Sequence, residues 1–369
     1  MIEFLGTSFV HVFRALMDVF AVLSGESSVS QLTISEVLKN EESVREVHVD
    51  GQLSIDGGVF PIVIQWDSPS RDLADVEEFL KPHSQLISDT AAKHGAILFR
   101  GFPVADAFEF DRFIEACGFP NFRYEDSLSN AVRVVKTDRV FTANEAPPEV
   151  TIFLHHEMAQ TPVYPSKLFF FCEHAADTGG ATPLCRSDAL FELMQKELPE
   201  FAADCENKGL QYTNVMPGFD DAQSGMGRSW QSTFRAQTRE EAEERMRELG
   251  YTWTWLDDGS LKAVTPVLDA VRDLGDGRKA FFNQLIAAYK GWKDTRNDPS
   301  NSIRFGDGSI LDPEDVMACS DLAERVTFDL MWQSGDIALV DNYVAMHGRR
   351  NFTGTRKVLA SLVAGESVG

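Results

Sequence analysis

Residues 153–158 read Phe153-Leu154-His155-His156-Glu157-Met158, and the geometry of that short run decides what kind of chain this is. In an extended segment, residues i and i+2 point to the same side. His155 and Glu157 can therefore present an imidazole and a carboxylate to one point, with His156 on the opposite face. A distant histidine, in Val344-Ala345-Met346-His347-Gly348-Arg349, would complete a set of two histidines and one carboxylate. Such a set covers one face of a metal and leaves other positions open, which suits non-heme Fe(II) and O2. Alone, His-x-Glu is a weak signal, because many such histidines are satisfied core or surface residues.

Around this run the chain is rich in short strands. Residues 47–66 alternate and contain Asp56-Gly57-Gly58, which predicts a hairpin. A helix is expected over 72–94, with Leu73, Val76, Phe79 and Leu80 on one face. Residues 94–102 read as a buried strand. Residues 105–117 predict a helix with Phe108, Phe110, Phe113 and Ile114 on its apolar side. Strands are expected over 150–154 and 167–172. A helix over 187–206 would open at Ser187-Asp188 as its N-cap. Residues 236–250 read as a charged surface helix, and 336–340 and 357–363 as short apolar runs flanking a polar loop. The pattern predicts an α+β protein with a β core. No Gly-rich loop follows a strand in a nucleotide-cradling pattern.

Beyond that pattern, the sequence resembles the Fe(II)- and 2-oxoglutarate-dependent dioxygenases of the taurine dioxygenase and clavaminate synthase-like group (TauD/TfdA). The resemblance covers roughly residues 95–362 and rests on ordered blocks. They are Ile97-Leu98-Phe99-Arg100-Gly101-Phe102, Thr142-Ala143-Asn144-Glu145, the run at 153–158, Phe169-Phe170-Phe171-Cys172-Glu173 and Gly179-Gly180-Ala181-Thr182-Pro183. Later come Gly335-Asp336 with Asp341-Asn342, and His347-Gly348-Arg349 with Phe352 and Arg356-Lys357-Val358-Leu359.

The resemblance implies a double-stranded β-helix, a jelly roll with flanking helices. It implies that His155, Glu157 and His347 are catalytic residues holding Fe(II), with 2-oxoglutarate and O2 as cosubstrates. Thr182 would donate to one end of 2-oxoglutarate and Arg356 would clamp its far carboxylate, a bidentate task suited to a guanidinium. Lys357 is the alternative clamp, since strand alternation keeps both from facing the site. Asn144 and Glu145 look like the family's active-site lip, with a plain loop as the other reading. Arg349 and Arg350 read as a substrate-carboxylate clamp or as surface charge. Trp230 and Asn283 lie in the middle region where family members build substrate contacts, and ordinary packing is the other reading. Asn342 would orient the strand entering His347 or serve as a turn residue.

The implied reaction oxidises an unactivated C–H bond by hydroxylation, desaturation or cyclisation, coupled to conversion of 2-oxoglutarate to succinate and CO2. Glu157 argues against halogenation, since related halogenases lack the carboxylate. The implied substrate is a small, carboxylate-bearing, amino-acid-like or specialised metabolite. A metal-dependent hydrolase and a non-catalytic sensor or scaffold are competing readings. The hydrolase lacks an HExxH motif and leaves Thr182 and Arg356 unexplained.

Composition bounds these readings. The 369 residues carry 34 Lys+Arg against 57 Asp+Glu, a net charge of −23, which argues against nucleic acid and anionic membrane as partners. Five widely spaced cysteines without CxxC predict reduced, buried thiols in the cytoplasm or another reducing compartment. Residues 1–25 are apolar but interrupted by Glu3, Arg14 and Asp18, so no membrane span is expected. They read as an amphipathic helix, with an organelle-targeting segment as the alternative. The expected organisation is an appendage over 1–45 and one catalytic domain over 46–369, in an enzyme whose relatives are often homo-oligomers.

Overall fold

A computed structural model describes residues 33–367 apart from 145, 222, 223 and 225. Glu145 and the segment 1–25 therefore lie outside the described residues. Helices and many strands are mixed along the chain. The large sheet has seven strands in the order Val44–Glu46, Ile62–Trp66, Ala96–Arg100, Ile337–Asp341, Val163–His174, Lys357–Ser367, Phe141–Thr142. All its pairings are antiparallel except that of Ile62–Trp66 with Ala96–Arg100. The small sheet has four antiparallel strands in the order Thr327–Leu330, Thr182–Arg186, Ala345–Arg349, Ile152–His155.

The pleat explains how these strands bury both faces. Alternate residues point to opposite sides of a sheet. Leu98, Phe170, Ala338, Val340 and Ala360 of the large sheet meet Leu184, Phe328, Leu330 and Ala345 of the small sheet in one apolar core. Their neighbours Ile97, Phe99, Phe169, Phe171, Ile337 and Leu339 face the other way, onto the helices Leu73–Leu80, Ser84–His94 and Ala107–Ala116. The back of the small sheet, with Leu154, Cys185 and Met346, is covered by Ser187–Glu197, Pro199–Lys208, Leu285–Gly291 and Pro313–Arg325. Double burial is why Phe169-Phe170-Phe171 reads as a continuous apolar run. Residues 187–326 leave the small sheet after one strand and return at its antiparallel neighbour, building a third sheet on the way.

Several expectations are corrected in detail. The helix over 72–94 is two helices, broken by a 3-10 turn at Lys81–His83 that contains Pro82. Pro199 likewise divides the helix over 187–206, because it can only begin a helix there. Ser187 and Asp188 do not cap that helix. Arg186 occupies the N-cap position, the Ser187 hydroxyl donates to the Val344 carbonyl, and Asp188 holds the guanidinium groups of Arg186 and Arg278. Phe108 is exposed rather than on the apolar face of its helix. The hairpin forms over Leu53–Ile55 and Gly58–Phe60, and Asp56 and Gly57 both take positive φ, as a tight hairpin turn requires. Of the segment 1–45, the described residues carry the helix Ile34–Leu38 and enter the edge strand Val44–Glu46 of the large sheet. Ile34, Leu38 and Val44 are buried in its helix-covered core.

Gly348 shows how tightly the small sheet is closed. A Cβ there would lie 2.5 Å from the Ile152 carbonyl oxygen and 3.2 Å from Pro183. Gly348→Ala should therefore spread Ala345–Arg349 from Ile152–His155 and cost about 1–3 kcal/mol, read from urea unfolding. An unchanged unfolding midpoint would show that the strands can separate freely.

Candidate metal centre and its cavities

His155 ends the strand Ile152–His155, and His347 sits in the neighbouring strand directly opposite it. A bulge lies in this pairing, between His347 and Arg349. Bulges re-aim side chains next to functional sites. Glu157 lies beyond the strand, in a turn followed by Met158 at φ 59. The His-x-Glu pair thus converges through a strand end and a turn, not along one continuous strand.

Ligating atoms of His155, Glu157 and His347 all lie within 4.8 Å of one another. His347 Nε2 is 3.4 Å from Glu157 Oε2, and the two imidazole rings are 4.3 Å apart between centroids. His155 Nδ1 donates to the Phe153 carbonyl at 2.7 Å, which leaves Nε2 with its lone pair. A buried imidazole, a partly exposed one and a buried carboxylate converging on one point fit a first-row divalent ion.

Two neighbours hold Glu157. Its Oε1 accepts from Arg133 Nη2 at 3.0 Å, in a buried ion pair. Its backbone N–H donates to Asn342 Oδ1 at 2.7 Å, while Asn342 Nδ2 donates to the carbonyls of Glu157 at 2.9 Å and Pro165 at 2.7 Å. Asn342 therefore pins the peptide of the carboxylate ligand itself. His156 is buried on the far side, its Nδ1 against the Asn342 carbonyl. Burial, then the His347 charge, lowers the His155 pKa to about 4, against the opposing pull of Glu157. Burial lowers His156 to about 3. Burial disfavours the Glu157 carboxylate, but Arg133 and the two imidazoles outweigh it and hold its pKa well below the usual range.

Thr182 and Arg356 line the same cavity as the triad. Arg356 Nε donates to the Gly180 carbonyl at 3.0 Å and Nη2 to Thr182 Oγ1 at 3.3 Å. Gly180, at φ 71, leaves that approach open, since a Cβ would lie 3.1 Å from Arg356 Cδ. Arg356 has no carboxylate partner among the described residues, and burial, then Arg349, lowers its pKa to about 10. A half-buried guanidinium without a carboxylate partner among the described residues, beside a hydroxyl, suits a carboxylate ligand. Lys357 points away; its side chain is 63% exposed and lies 3.9 Å from Glu173.

A second cavity meets the first at Arg133, Asn144, Ile152, His155 and Glu157, and extends past Gln160, Gln284 and Trp292. Not every candidate residue reaches these cavities. Trp230 is buried against Trp255 and donates to the Gly259 carbonyl. Asn283 is buried against the Ala270 carbonyl and the Leu285 N–H. Arg349 lines the first cavity, but its guanidinium donates to the carbonyls of Ala146, Pro147 and Val150, which ties down the loop after Asn144. Arg350 pairs with Asp329 and Glu324 on the exterior. Arg133, Gln284 and Trp332 were missed, because they sit in connecting segments whose pattern carries no signal. All five cysteines are buried, which pushes their thiols up, to about 12 for Cys172 and Cys185.

The desolvated imidazoles of His155 and His156 set a pH dependence. Between the ordinary value of about 6.5 and pH 4, the unfolded chain binds protons that His155 and His156 refuse in the fold. Stability of the metal-free protein should fall as pH is lowered through this window. It should fall further below about 4.5, where the unfolded state protonates Glu157 and the fold does not. Urea midpoints that stay flat from pH 6.5 to 4 would contradict the desolvation that keeps these imidazoles neutral. Among the described residues, no helix is long and apolar enough to cross a membrane.

The family model for the taurine catabolism dioxygenase TauD, TfdA family matches residues 59–362. A clavaminate synthase-like protein of Arabidopsis thaliana is 39% identical over 323 residues, covering 86% of this chain and 97% of that protein. The dapdiamide synthesis protein DdaC of Enterobacter agglomerans is 26% identical over 308 residues, covering 79% and 88%. The crystal structure of PvcB from Pseudomonas aeruginosa shares the fold, with a TM-score of 0.51, 14% identity and coverage of 87% and 90%. With most of its length matched by the family model, and with a relative this similar, the chain belongs to the TauD, TfdA family of Fe(II)- and 2-oxoglutarate-dependent dioxygenases.

Proposed function

We propose that the protein oxidises an unactivated C–H bond of a small, carboxylate-bearing, amino-acid-like or specialised metabolite. The observation that carries this reading is the meeting of two cavities at His155 and Glu157, with His347 lining the one that contains Arg356. One cavity contains Thr182 and Arg356, and would take 2-oxoglutarate. The other is walled by Arg133, Asn144, Gln160, Gln284 and Trp292, and would take the substrate. The two facing sheets are read as the double-stranded β-helix, within one catalytic domain. The synthetic role in the name of the Enterobacter relative supports a specialised metabolite.

His155, Glu157 and His347 would hold Fe(II), which with 2-oxoglutarate and O2 supplies the oxidant and releases succinate and CO2. Arg133 holds one carboxylate oxygen of Glu157, so the other is free to face the ion. Asn342 keeps the Glu157 peptide from rotating away. Arg356 would pair with the far carboxylate of 2-oxoglutarate, and the Thr182 hydroxyl would donate beside it. The amide groups of Gln160 and Gln284 and the Arg133 guanidinium offer polar contacts for an amino-acid-like substrate, against an apolar wall at Trp292.

Fe(II)-loaded protein supplied with 2-oxoglutarate, O2 and small-molecule pools should form succinate in a substrate-dependent way. His155→Ala and Glu157→Ala should lose both metal and turnover. Absence of 2-oxoglutarate turnover with every pool, together with no metal loss in the variants, would sink the proposal in favour of a sensor or hydrolase. In calorimetry, Arg356→Ala should weaken 2-oxoglutarate binding by about 2–4 kcal/mol, whereas Lys357→Ala should change it little.

A further inference from the structure

Thr182 carries a hydroxyl whose hydrogen bonding the fold almost fully specifies. A hydroxyl has one proton to donate and two lone pairs to accept with. Trp332 Nε1 donates to Thr182 Oγ1 at 2.9 Å, and Arg356 Nη2 donates to it at 3.3 Å. Indole and guanidinium are donors only, so neither partner can exchange roles and accept the Thr182 proton. Thr182 is 3% exposed, lines the cavity that also holds the triad, and has no acceptor for its proton among the described residues. The proton is left with the cavity.

Trp332 is itself held in place. It lies where the chain crosses from Thr327–Leu330 in the small sheet to Ile337–Asp341 in the large one, two residues after Leu330, the strand partner of Thr182. The Gln333 N–H donates to Asp336 Oδ2 at 2.9 Å, and Arg100 grips the same carboxylate at 2.7 and 3.0 Å. The Ala175 N–H donates to Ser334 Oγ at 3.1 Å, and the Gly335 N–H to the Cys172 carbonyl at 2.8 Å. The indole ring packs on the intersheet core.

We propose that Trp332 is a positioning residue for the cosubstrate. Its indole N–H, together with Arg356, turns the Thr182 hydroxyl so that the proton points into the cavity, preset to donate to an oxygen of 2-oxoglutarate. Without that N–H the hydroxyl can rotate, and the orientation must be recovered on binding. The inference rests on the reading of this cavity as the 2-oxoglutarate site.

The test is calorimetric titration of 2-oxoglutarate into Mn(II)-loaded protein without O2, so that no turnover intervenes. Trp332→Phe keeps an aromatic ring and removes the donor. It should weaken binding roughly 3- to 10-fold, the scale of one net hydrogen bond, with Mn(II) affinity unchanged. The same substitution should weaken binding equally in a Thr182→Ser background, which keeps the hydroxyl, and add nothing in a Thr182→Val background. An equal loss in the Val background would mean that Trp332 acts by packing, and would overturn the proposal. Should Trp332→Phe fail to fold, hydrogen exchange at the Trp332 indole replaces it. Protection should survive Thr182→Ser and be lost in Thr182→Val, and protection kept in Thr182→Val would overturn the proposal. If wild type binds no 2-oxoglutarate at all, the assignment of the cavity falls and this inference with it.

Discussion

The antiparallel pairing of Ala345–Arg349 with Ile152–His155 is the constraint on which the site depends. It sets His347 opposite His155, although the two lie far apart along the chain. The pairing is held from both sides. Ala345 faces the intersheet core and Met346 faces the helix-covered core, so the strand cannot slip by one residue without exchanging its two faces. Gly348 permits the close approach. Asn342, just before this strand, clasps Glu157 just after the other, so the third ligand is tied to the same join.

Charge follows the same logic of enclosure. The chain is strongly acidic, yet the cations that matter are enclosed beside the triad. Arg133 is matched by Glu157, whereas Arg356 is unmatched among the described residues and is destabilised by burial. A buried ion pair is costly to desolvate and costly to break. The Arg133–Glu157 pair therefore serves geometry more than stability. Arg100–Asp336 and Lys167–Asp341 play the same part in the large sheet, where Asp336 also anchors the turn that carries Trp332. Positive potential for an anionic cosubstrate is thus local and internal.

Several elements were legible because their residues obey short-range rules. The strand runs at 94–102 and 167–172 were continuous apolar stretches, and both became doubly buried strands. Thr238 and Glu241 form the capping box of the helix expected over 236–250. Helix lengths were overestimated where Pro82 and Pro199 break the pattern, since apolar periodicity continues past a residue that interrupts the backbone. Trp230 and Asn283 failed as site residues because chemistry-bearing side chains also serve packing and turns. Only distance to the cavity separates the two uses. Arg133 was invisible because a single arginine in a connecting segment has no periodicity.

The sequence by itself determined which groups were available. It held one His-x-Glu run, a later His347-Gly348-Arg349, a Gly-Gly-x-Thr turn, alternating apolar strands and a net negative charge. Ordered blocks were enough to identify the family, because spacing along a chain survives without coordinates. Which groups face one another was decided only by the tertiary structure. It chose Arg356 over Lys357 beside Thr182, turned Arg349 onto the loop after Asn144, and placed Arg133 on Glu157 and Trp332 on Thr182. The physical reason is that hydrogen bonds and ion pairs act over a few ångströms of space. Contacts across sheets depend on register, and register is set by cores that draw on the whole chain.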